Sequence, residues 1–165
     1  MIGLLRVGVL IAVAALVWLV MASQVPSHVK LSLAGVVQGA VVSQPFGCTR
    51  LVLEPYDPFC PGKHVHTGVD LAAPVGTDVD SATSGVANLG FDPRGAGLYV
   101  VVTVDSHVRI FYCHLSAFRV VGGSAVHPGQ VIGLVGATGL ATGPHVHFEV
   151  QVDGSPVDPA AWLAS

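Results

Sequence analysis

Beyond Pro26 no stretch of this chain carries apolar residues at helical spacing through three turns, so its hydrophobic side chains must be buried from short extended runs. Those runs are separated by Gly, Pro, Asn and Asp, the residues that end or turn a strand. Leu98–Val104 and His107–His114 flank Asp105-Ser106 and read as a hairpin. Gln130–Val135 follows the turn signal His127-Pro128-Gly129. His145–Val152 follows the loop Gly136–Pro144 and runs into the turn Asp153-Gly154. The tail Pro159–Leu163 suits one short helical turn. These features predict an all-β domain of antiparallel strands, and 165 residues leave room for one such domain and a short appendage.

The appendage is at the front. Ile2–Ala22 is apolar throughout except for Arg6. As a helix it would rise about 30 Å, the thickness of a bilayer's hydrocarbon layer. Arg6 lies near its start, where a long side chain reaches the headgroups. The segment is expected to be a transmembrane anchor or a cleaved signal peptide, and the length of the run favours the anchor. Either alternative places the rest of the chain outside the cytoplasmic membrane, with Ser23–Ala34 as a tether and 35–165 as the folded domain. A net charge of -3 with scattered basic residues argues against nucleic acid as a partner.

Three cysteines, Cys48, Cys60 and Cys113, would meet an oxidising compartment there. Cys48 and Cys60 can close a loop of about a dozen residues, worth roughly 3 kcal/mol by chain entropy. The alternative is that all three are unpaired buried residues. No CxxC pair begins a cysteine metal site.

Eight histidines point to metal or proton chemistry. They concentrate in three segments: His64-Val-His66-Thr-Gly-Val-Asp70, Tyr112-Cys-His114-Leu-Ser116 and Gly143-Pro-His145-Val-His147-Phe-Glu149. Residues two apart on a strand share a face, so His145, His147 and Glu149 point the same way. Two imidazoles and a carboxylate suit zinc with one coordination position left open. Singly, each histidine is more simply read as a hydrogen-bonded strand residue, and Asp70 as a turn residue. The combination and its order carry the signal.

In that order the chain resembles the lysostaphin-type, or LytM-like, zinc endopeptidases, which carry an HxxxD segment, a YxHL-like strand and an HxH strand. The resembling residues are His66-Thr-Gly-Val-Asp70, Tyr112-Cys-His114-Leu115 and His145-Val-His147, supported by Ser43–Arg50, Asp70–Gly76, Gly129–Gly133 and Gly136–Glu149. The resemblance runs from about residue 35 to the C-terminus. It implies a zinc-bearing groove, with His66, Asp70 and His147 as ligands of one zinc ion per chain. It implies His114 and His145 as catalytic histidines that hold no metal. The implied reaction is hydrolysis of an amide in the peptide stems or cross-bridges of bacterial peptidoglycan, by metal-activated water and the two histidines. The implied location is the cell envelope, or a virion, with the membrane engaged through residues 2–22. A non-catalytic LytM-like module that binds wall material or activates an amidase is the alternative, and such modules usually lack part of the ligand set. His64 is an extra imidazole beside the motif. Glu149 could orient a metal histidine; a solvated strand carboxylate is the plainer expectation.

Overall fold

Thirteen short strands and two short helices make up residues 29–165, the part of the chain that the computed structural model describes. The expected membrane or signal segment at 1–22, and the first part of the tether, lie outside the described residues. Among the described residues no helix is long and apolar enough to cross a membrane. The elements are α1 (Leu33–Val36), β1 (Val41–Gln44), β2 (Gly47–Thr49), β3 (His64–His66), β4 (Val69–Ala72), β5 (Asp78–Asp80), β6 (Gly85–Asp92) and β7 (Gly97–Thr103). They continue with β8 (Val108–Leu115), β9 (Ala117–Phe118), β10 (Ala125–Val126), β11 (Val131–Leu134), β12 (His145–Val152), β13 (Ser155–Val157) and α2 (Pro159–Ala164).

All pairings are antiparallel, as the sequence predicts. The main sheet runs β1-β4-β12-β8-β7-β6-β10, with β13 also paired to β12. A smaller sheet runs β5-β11-β9, and β2 and β3 form a separate ribbon. The hairpin expected around Asp105-Ser106 is β7–β8. The turn Asp153-Gly154 joins β12 to β13, with both residues at positive φ, 51° and 78°. A tight two-residue hairpin needs that conformation, which Asp and Gly adopt at little cost.

Alternation decides what each face of the main sheet carries. Val146, Phe148 and Val150 of β12 are fully buried, with Val100 and Val102 of β7 and Ile110 and Tyr112 of β8. They pack in one core with Val79, Ile132 and Val135 from the smaller sheet and its flank, and with Val36 and Val37 at the end of α1. Tyr112 meets Phe148 edge-on at 5.3 Å, and its hydroxyl accepts a hydrogen bond from the Ala82 amide. Burying a tyrosine this way satisfies its one polar atom without giving up packing. The other face of β12, with His145, His147 and Glu149, is left for the groove.

Register is broken once where it matters. Leu98 pairs with Leu115 but Val100 pairs with Tyr112, so two residues of β8, Cys113 and His114, stand opposite Tyr99 alone. His114 adopts φ 64° at this bulge, a conformation that costs a non-glycine residue free energy. The consequence is directional: Phe111, Cys113 and His114 all line the groove, which regular alternation forbids.

Cys48 and Cys60 are joined by a disulfide, which resolves the pairing left open by the sequence, and Cys113 is free and buried. The bridge closes a loop twelve residues on in sequence, at the groove's rim. Replacing both bridged cysteines by serine is expected to destabilise the domain by about 3 kcal/mol on the loop-entropy scale. Urea melts of the two proteins would check this, an unchanged midpoint being the contrary result.

Candidate metal centre

β4 and β12 are neighbours in register, with Asp70 opposite His147. β3 delivers His66 from the next turn of chain, four residues before Asp70. Three ligand-type atoms therefore converge: His66 Nε2 lies 2.9 Å from His147 Nδ1 and 3.1 Å from Asp70 Oδ1, and His147 Nδ1 lies 3.1 Å from the same oxygen. Of the described residues, these three form the group of nitrogen and oxygen donors close enough to share an ion. Ligands about 2 Å from a tetrahedral zinc stand about 3.3 Å apart, so small outward shifts would fit the metal. Two imidazoles and one carboxylate are also the right chemistry for it.

Each imidazole is aimed by its other nitrogen. His66, fully buried, donates through Nδ1 to the Pro45 carbonyl at 2.9 Å, which leaves the Nε2 lone pair facing the cluster. His147 Nε2 lies 3.4 Å from Glu149 Oε2. That carboxylate also accepts from Thr67 Oγ1 at 2.5 Å and from Gln151 Nε2 at 2.6 Å. Glu149 is thus not the solvated strand carboxylate expected of it; it is a bonded partner of His147. Hydrogen bonding from outside the ligand set fixes ring orientation and tautomer. Gly68 permits the approach: a Cβ there would fall 2.8 Å from the His147 ring and 2.5 Å from the Phe148 carbonyl oxygen.

His114 and His145 stand beside this cluster with their ring centroids 4.7 Å apart. His114 donates through Nδ1 to the Thr138 carbonyl at 2.8 Å, and His145 through Nδ1 to the Gly143 carbonyl at 2.8 Å. Both Nε2 atoms stay free, and that of His145 is 3.7 Å from Asp70 Oδ1. The loop Gly136–Pro144 supplies both carbonyls and is itself pinned by Thr138, whose hydroxyl donates to Leu115 and accepts from the Leu98 amide.

The five residues singled out in the sequence therefore meet in one place. His64 does not join them. Its Nδ1 bonds the Glu54 carbonyl at 2.7 Å and its ring meets Tyr56, so it holds the rim loop. Reading the sequence also missed the three carbonyls that aim the rings, which no residue type reveals. Gln151 was legible in principle, two residues from Glu149 on the same strand.

Electrostatics follow from burial and these bonds. Burial works to raise the Asp70 pKa, but hydrogen bonds and charge from His147 and His66 hold it well below the usual carboxylate range. Burial works against a charge on His147, yet bonds to Asp70 and Glu149 push its pKa up to about 9. For His114 burial dominates and lowers the pKa, the Thr138 carbonyl opposing and the charges of His145 and His147 assisting. Burial pushes the Cys113 thiol up to about 12, so it remains protonated and offers no thiolate to a metal or a substrate. The site opens into a groove of about 400 Å³ lined by Leu51, Leu53, Glu54, Phe111, Leu140 and Thr142, among others.

Comparison with known proteins agrees with this geometry. Residues 64–159 match Peptidase family M23. The chain is 39% identical over 120 residues to the DD-carboxypeptidase/endopeptidase Mpg of Neisseria meningitidis serogroup B, covering 73% of this chain and 26% of that protein. It is 43% identical over 93 residues to the peptidoglycan DD-endopeptidase ShyA of Vibrio cholerae serotype O1, covering 56% of this chain and 22% of that protein. The chain thus spans about a quarter of the length of these relatives. The catalytic domain of the antimicrobial peptidase lysostaphin from Staphylococcus simulans superposes with a TM-score of 0.66 at 30% identity, over 82% of this chain and 99% of that one.

A metal ion binding here would compete with the proton that the raised pKa, about 9, favours on His147. The folded-state pKa is raised, so protons compete with metal as pH falls and cease to compete above about 9. Zinc affinity measured by competition with a chelator should rise about tenfold per pH unit between pH 6 and 8. An affinity flat across that range would contradict proton competition at His147.

Proposed function

Because this chain belongs to peptidase family M23, we propose that it is a zinc-dependent endopeptidase hydrolysing amides in the peptide stems or cross-bridges of bacterial peptidoglycan. The observation that carries the proposal is the meeting of His66, Asp70 and His147 with His114 and His145 at one open groove, which four of them line while His66 is buried behind it. All five positions are filled, and nothing in the site favours a non-catalytic wall-binding module.

On this reading His66, Asp70 and His147 hold one zinc ion. Zinc supplies Lewis acidity, acidifying water and polarising a carbonyl at neutral pH. The chain's own residues manage protons and position. His114, kept neutral by burial with Nδ1 engaged by Thr138, presents Nε2 as a proton acceptor for the attacking water. The same imidazole then carries that proton to the leaving amine. His145, locked through Nδ1 to Gly143, presents Nε2 toward the scissile carbonyl, where its imidazolium form would donate a second N–H to the developing oxyanion. Neither ring needs to reorient, because each is already bonded on its far side.

Support for the substrate class comes from the relatives' named activities and from a groove open enough for an extended peptide. The apolar segment 2–22 would hold the enzyme at the membrane, and residues 23–34 would link it to a catalytic unit at 35–165, outside the cytoplasmic membrane. Within that link Lys30 already touches the domain, its ammonium group bonding the Trp162 carbonyl at 2.9 Å and lying 3.9 Å from the Trp162 ring.

The roles separate by mutation. His147→Ala should lose both zinc and hydrolysis. His114→Ala and His145→Ala should each keep stoichiometric zinc while losing roughly 10²- to 10⁴-fold in rate, the usual range for a positioned proton-transfer group. Zinc analysis beside wall-digestion rates would decide, and loss of zinc from His114→Ala would refute the division between ligand and proton carrier.

A further inference from the structure

Three carboxylates line the groove: Asp70, Glu149 and Glu54. Among the described residues no lysine or arginine lines it. Two of the three are already committed. Asp70 faces His66 and His147, and Glu149 takes bonds from Thr67 and Gln151 and faces His147. Glu54 differs. Its side chain accepts one hydrogen bond, from the neutral amide of Gln44 at 3.2 Å, and among the described residues no cationic side chain lies within ion-pair distance of it.

The surroundings of Glu54 are rigid and apolar. It sits in the loop closed by the Cys48–Cys60 disulfide. Its own carbonyl is bonded by His64, and the next residue's carbonyl accepts from the Val65 amide at 3.0 Å. Leu51 and Leu53 of the same loop line the groove, each about half exposed, and so does Leu140 of the loop Gly136–Pro144. This loop precedes His64, where the family match begins.

We propose that the 48–60 loop is a specificity wall, with Glu54 binding a free ammonium group of the substrate and Leu51, Leu53 and Leu140 packing the aliphatic stem that carries it. The inference rests on the peptidase reading and narrows its substrate class. An ammonium at the end of a methylene chain has an apolar body and a charged tip, and it meets here an apolar wall and an uncompensated carboxylate. Gln44 fixes the carboxylate without neutralising it. The favoured substrates are peptides with a lysine-like side chain beside the cleaved amide, its amine free and not acylated.

The test uses the zinc-loaded full chain in detergent micelles and two synthetic wall peptides. The peptides are identical except that a lysine beside the scissile amide is free in one and Nε-acetylated in the other. The free-amine peptide should show a kcat/KM at least about tenfold higher, a difference that shrinks with added salt. Glu54→Gln should bring the ratio near one while zinc content stays stoichiometric, and Glu54→Lys should invert it. Equal rates on the two peptides with the unaltered protein, or a preference that survives Glu54→Gln, would overturn the inference and leave the peptidase reading standing. Cleavage of neither peptide by zinc-loaded protein would overturn the proposed function and this inference with it.

Discussion

The pairing of β4 with β12 in a single register is what the site depends on. It sets Asp70 opposite His147, and a slip of β4 by one residue would turn Asp70 into the core and Val69 and Leu71 out of it. The register is therefore held by the hydrophobic face, and the polar face inherits its precision. Two imidazole nitrogens and a carboxylate oxygen within about 3 Å of one another then form an arrangement that favours bound positive charge. The raised pKa of His147 and the depressed pKa of Asp70 are two expressions of it.

Around this cluster the fold spends local conformational energy to gain direction. The bulge in β8 leaves His114 at positive φ, and in return both Cys113 and His114 turn to the groove while Tyr112 and Leu115 keep their places in the core. The loop Gly136–Pro144 completes the arrangement by offering backbone carbonyls to His114 and His145. Four imidazoles are thus positioned by hydrogen bonds from behind as well as by the strands that carry them. Such preorganisation lowers the reorganisation needed when charge develops on a substrate.

Much of this was legible in the sequence because strand period and turn chemistry are local. His145–Val152 is a strand over the full span that its alternation marks, and Asp153-Gly154 is the turn it resembles. The short final helix follows from Asp158, whose side chain accepts from the amides of Ala160 and Ala161, with Pro159 in the first turn. What was not legible depends on contacts distant in sequence. The bulge at His114 exists only relative to β7, and the Pro45, Thr138 and Gly143 carbonyls have no signature in residue type. Glu149 was undervalued because its partner Thr67 is distant along the chain and adjacent only once β3, β4 and β12 assemble. His64, the extra imidazole beside the motif, lies at the rim, where its ring bonds the Glu54 carbonyl.

On the proposed function, this groove cuts peptide bonds in the cell wall through the candidate metal centre. Mass spectrometry of fragments released from purified peptidoglycan by the zinc-loaded full chain, with and without a chelator, addresses it most directly. New peptide amino and carboxyl termini, intact glycan strands, and loss of release on chelation reversed by zinc are the outcome expected. Release of glycan fragments, no release at all, or release indifferent to the chelator would contradict it.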